Sequence, residues 1–149
     1  MTRMAKSLIA TIPAVLLAGG LVACSSPEPP KLAAGELAAG VAEVSIAGTN
    51  VGRSTSVTCS QAGAVTTIDT GTKDGGTTST LDSVGGLAAK SVEIRNVEGF
   101  SGSYWQGLGD APEVTIKGRT YLIKGKAVGY GADRPTERRP EDFSIRVAC

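Results

Sequence analysis

Phe143-Ser144-Ile145-Arg146-Val147-Ala148-Cys149 alternates between apolar and polar or small side chains without a break. Successive side chains on a strand point to opposite faces. Phe143, Ile145, Val147 and Cys149 therefore share one face, and Ser144, Arg146 and Ala148 the other. One dry face and one wet face is the mark of an antiparallel strand packed on a core.

The same period of two recurs upstream. Tyr121, Ile123, Gly125 and Ala127 form one face after a turn at Lys117-Gly118-Arg119. Val114 with Ile116, Val92 with Ile94, Val57 with Cys59 and Val44 with Ile46 behave alike, Val65 to Ile68 forms a further run, and Ser103 to Gln106 forms a short aromatic strand. Gly48-Thr49-Asn50 and Lys73-Asp74-Gly75-Gly76 are turn signals. About eight short strands, with no helical period, predict an all-β fold: a small antiparallel sandwich or flattened barrel over residues 41–149. Asp133 to Pro140 reads as an exposed loop, because its prolines lack the donors that a central strand needs.

Composition narrows the function classes. The chain has no His, which removes Ser-His-Asp and Cys-His catalysis and the commonest metal ligand. Its 15 Lys and Arg nearly balance 14 Asp and Glu, so no nucleic-acid footprint is present. No Gly-rich phosphate loop and no spaced Asp series occur, so neither a cofactor nor a metal is expected.

The N-terminal part follows a different logic. Arg3 and Lys6 precede an apolar run from Ser7 to Ala23, too short to span a bilayer comfortably and typical of a signal peptide. Leu21-Val22-Ala23-Cys24 closes it. This resembles the lipobox of bacterial lipoproteins, in which small residues admit the peptidase and the Cys thiol accepts a diacylglycerol thioether. The expected organisation is a removed leader over 1–23, an acylated Cys24 with a flexible Pro-rich stalk over 24–40, and a β-domain over 41–149. Two acyl chains make a stable anchor. They would hold the domain outside the cytoplasmic membrane on a stalk reaching on the order of 50 Å. With Cys24 so assigned, Cys59 and Cys149 remain, and an even pair in an exported chain reads as a disulfide.

The chain as a whole resembles the mycobacterial lipoprotein antigen family typified by the nineteen-kilodalton antigen. The likeness rests on Val44-Ser45-Ile46-Ala47-Gly48 with Val57-Thr58-Cys59, on Asn96-Val97 with Gly99, on Tyr121, Ile123, Gly125, Ala127 and Gly129, and on Phe143 to Cys149. The resemblance implies an acylated, surface-displayed envelope protein without known catalytic activity. It also implies that innate immune lipopeptide receptors sense the terminus at Cys24. Members can carry a Thr-rich glycosylated stalk, whereas this one offers only Ser25 and Ser26.

Within the domain, Tyr104-Trp105 is the candidate ligand contact, set against simple core packing for one of the two rings. Lys117, Arg119, Lys124 and Lys126 crowd one hairpin and suit either an anionic headgroup or a plain solvated face. Glu141-Asp142 is at most a weak cation site. Two readings stay open: a non-catalytic displayed module, and a carrier holding a lipid or glycolipid inside the β-domain.

Overall fold

The computed structural model describes residues 26–149, which comprise ten strands and no helix. In chain order these are β1 (Ala42–Ile46), β2 (Thr49–Ser54), β3 (Val57–Ala62), β4 (Val65–Gly71), β5 (Gly76–Asp82), β6 (Ala88–Val97), β7 (Phe100–Trp105), β8 (Glu113–Lys117), β9 (Thr120–Gly131) and β10 (Arg134–Ala148). All pairings are antiparallel. The sheet runs β2-β1-β10-β9-β7-β6-β5-β4-β3, with β8 on β9 below β7.

The sheet curls into a nearly closed barrel. β1 and β4 lie far apart in strand order, yet Val44 and Ile46 share one apolar cluster with Ile68. Leu81, Val92, Ile94, Ile123, Ile145 and Val147 fill the centre with almost no exposure. The Gly71 amide donates to the Ser56 carbonyl (2.8 Å), which carries the β3–β4 ladder one step past Val57 and Thr70. Cys59 on the free edge strand β3 is disulfide-bonded to Cys149 beyond β10, with Cα atoms 5.9 Å apart. The paired cysteines therefore staple one edge of the sheet to its middle. β2 and β3 are the two edges and are exposed along nearly their whole length.

Three expectations need correction. The strand count is ten rather than about eight: β2 is a strand of its own, and the turn after β1 is Ala47-Gly48 rather than Gly48-Thr49-Asn50. Ala47 and Gly48 both have positive φ (50° and 81°), so this two-residue turn matches the strand twist and lets Thr49 pair at once with Ile46. Second, Asp133 to Pro140 is mostly strand. Arg138, Arg139 and Pro140 pair with Tyr130, Gly129 and Val128, past an irregularity between Arg134 and Arg138. The proline objection fails because β1 covers only Phe143 to Val147, so the first half of β10 has a free side where missing donors cost nothing.

Third, the stalk ends early. The compact unit starts at Lys31, not at Val41. Leu37 is buried, its amide donates to Thr120 Oγ1 (2.9 Å), and the Gly40 amide donates to the Ala148 carbonyl (2.8 Å). A single buried Leu is worth about 2 kcal/mol. That is enough to hold a short segment that period-two reading passes over, because it contains no strand.

Candidate functional site

Strand alternation separates the two candidate aromatics. Tyr104 pairs with Val92 and points into the barrel, whereas Trp105 pairs with Ser91 and points out. Tyr104 is 3% exposed and Trp105 55%. The Leu108 amide donates to the Trp105 carbonyl (2.9 Å), and Leu108 is exposed as well. The two rings do not form one site. Tyr104 belongs to the core, and Trp105 to the surface.

The cations of the β8–β9 hairpin are brought together, but three of the four are engaged locally. Lys117 Nζ donates to the Ala34 carbonyl (2.6 Å), and the Arg119 guanidinium to the Cys149 carbonyl (2.9 Å). Lys126 pairs with Asp142 (2.8 Å), whose hydrogen bond raises the ammonium pKa above its ordinary value. Lys124 and Lys126 line an open groove of about 450 Å³ that Asp110 and Asp142 share. Carboxylates in the same groove offset the positive field that an anion would need. Glu141 is bonded to Arg139 (2.6 Å), and Arg139 in turn reaches Asp133 (3.1 Å), holding the Asp133 carboxyl below its usual range. Among the described residues, no three His, Cys, Asp or Glu side chains converge on a metal position.

The central side chains are buried, and three grooves are open surface depressions. One of them, about 320 Å³, lies across the seam and is lined by Val44, Val51, Val97, Thr70 and the Gly75-Gly76 turn. Besides Thr120, which binds the Leu37 amide, the buried polar side chains among the described residues form a short group on β4 and β5. Thr70 and Thr77 hydroxyls bond each other (2.8 Å), and Ser79 Oγ has no protein partner. Sequence reasoning missed this group. Thr and Ser on alternating strands read equally well as wet-face residues, and only the curl of the sheet turns them inward.

Cys24 lies outside the described residues, so the geometry places nothing around it. The folded part, however, has relatives. The model of the Mycobacterium 19 kDa lipoprotein antigen family matches residues 35–149, which is the barrel together with most of its docked N-terminal segment. The chain belongs to this family. A protein of Mycobacterium indicus pranii named as a lipoprotein is 36% identical over 94 residues, covering 62% of this chain and 68% of the relative. LppE of Mycobacterium tuberculosis, likewise named a lipoprotein, is 36% identical over 98 residues, 62% of this chain and 66% of its own. A further lipoprotein by name, from Mycobacterium avium subsp. hominissuis, is 36% identical over 63 residues, 42% of this chain and 44% of the relative. The family assignment agrees with the sequence resemblance and with the barrel, which uses every segment that carried the likeness.

Proposed function

We propose that this lipoprotein is anchored through a diacylglyceryl group on Cys24, on the outer side of the cytoplasmic membrane. There its barrel serves as a displayed, non-catalytic module of the cell envelope. Its acylated terminus is the part that host lipopeptide receptors would meet. The packed barrel supports display over transport: the side chains that would have to part for a lipid are the ones that carry the core. Family membership supports the lipid anchor.

Two measurements test the reading. Cys24→Ala in the mycobacterial host should leave the protein out of the processed membrane fraction, with the barrel still folded by circular dichroism. A Cys24→Ala protein that stays membrane-bound with its leader cleaved overturns the anchor. Native mass spectrometry of the barrel, purified without detergent, should show the bare polypeptide mass. A stoichiometric lipid adduct overturns the display reading in favour of a carrier.

A further inference from the structure

The segment that enters the barrel does so at one defined place. Lys117 holds the Ala34 carbonyl, Glu36 lies against Gly118, and the Leu37 amide is bonded to Thr120. All three anchor points belong to the β8–β9 hairpin end. The first residue held by the hairpin is Ala34, ten backbone steps after Cys24. Ten steps reach at most about 36 Å when fully extended. A globular unit of this size is on the order of 35 Å across. The tether is thus no longer than the barrel is wide, and only a fully stretched tether would let the far end of the barrel meet the bilayer.

The near end has the chemistry of a lipid-facing surface. Leu32 is 49% exposed and Ile116 51%, and Lys31, Lys117 and Arg119 stand exposed beside them. One carboxylate, Glu36, is close by and is occupied by the Ala33 amide (3.0 Å). The turns at the other end of the sheet carry Asp74, Glu98 and Asp133, with Lys73 and Arg134 among them, and so have no excess of cations. Resting on the reading that Cys24 carries the lipid, we propose that the barrel lies with its β8–β9 end on the membrane. There Lys31, Lys117 and Arg119 contact anionic phospholipid, and Leu32 and Ile116 dip into the headgroup layer. Each cation near an anionic surface strengthens such attraction about fivefold, and salt screens it.

Lysine footprinting of the mature acylated protein tests the orientation. The protein is bound to vesicles of phosphatidylglycerol and phosphatidylethanolamine, or of phosphatidylcholine alone, and labelled with a membrane-impermeant amine reagent. Labelling is read by mass spectrometry relative to Lys73 at the far end. On the anionic vesicles, Lys31 and Lys117 should label at least about fivefold more slowly than on the neutral ones, and 0.5 M NaCl (roughly a 4 Å screening length) should abolish the difference. A Lys117→Glu/Arg119→Glu protein should still float with the vesicles yet lose the protection at Lys31. Flotation with equal labelling on both vesicle types overturns the orientation alone. Failure of the wild-type protein to float overturns the Cys24 anchor and the orientation with it.

Discussion

At the residue scale, the backbone records where this fold is strained and where it is crowded. Ala47 and Glu98 each hold a positive φ of 50° as the first residue of a two-residue turn, followed by Gly48 and Gly99. A Cβ in that region costs about 1–2 kcal/mol, and Asn pays the least of the non-Gly residues. Ala47→Asn should therefore stabilise the barrel by about 0.5–1 kcal/mol in urea unfolding, and an unchanged or lower midpoint would show that the turn is not the limiting strain. Gly129 is the opposite case. It faces Gly102 across β9 and β7, with the Phe100 ring lying over Gly102, and a Cβ at Gly129 would run into the Ser101 backbone. Backbone cannot yield as a flexible side chain can, so Gly129→Ala should cost at least about 3 kcal/mol by the same measurement. Gly129 was legible in the sequence as part of a recurring strand motif. Its reason was not, because close approach of two strands is a property of the pair.

At the scale of elements, period two located the strands that bury a face and passed over those that do not. β1, β6, β9 and the second half of β10 alternate and were legible. β2 is exposed throughout, so no alternation marks it. The first half of β10 was misread because a rule about central strands was applied to a stretch with one free side. Its tip, and the turn after β5, are held by carboxylates. The Val84 amide donates to Asp82 Oδ1 (2.8 Å), and Lys90 approaches the same carboxylate (3.1 Å). The Val84 hydrogen bond, with Lys90 after it, lowers the Asp82 pKa below 3.8, and Arg139 does the same for Asp133. A carboxylate whose pKa is depressed by folding binds its proton more readily in the unfolded chain. Its contribution is therefore present above the ordinary pKa near 3.8 and is lost as pH falls through the lower folded value. Stability should fall between about pH 5 and pH 2, and Asp82→Asn should flatten part of that slope by lowering stability at pH 7 while changing little near pH 2. A wild-type unfolding midpoint independent of pH over this range would refute the assignment.

At the scale of the molecule, the cysteines settle what the strands leave open. The sequence offered a sandwich or a flattened barrel, and alternation cannot tell them apart, since both present one dry face. The distinction lies in whether the edges meet. Here the curl brings the edge strand β3 back to the end of β10, where the Cys59–Cys149 bridge closes the seam. β3 is an exposed edge strand that adds little apolar surface of its own, so little besides the bridge holds it to the end of β10. The two cysteines are 90 positions apart, and closing a loop of that length removes about 4–5 kcal/mol of unfolded-chain entropy on the chain-entropy model. For a domain of this size that is a large share of the total stability. Cys59→Ala/Cys149→Ala should lower the unfolding free energy by about 4 kcal/mol. Amide exchange should quicken most in β3 and its partner β4, while β9 and β10, buried at the centre of the sheet order, stay protected longest. If exchange instead quickened evenly over all strands, the bridge would be acting only on the unfolded chain, and the seam would be closed by packing rather than by the staple.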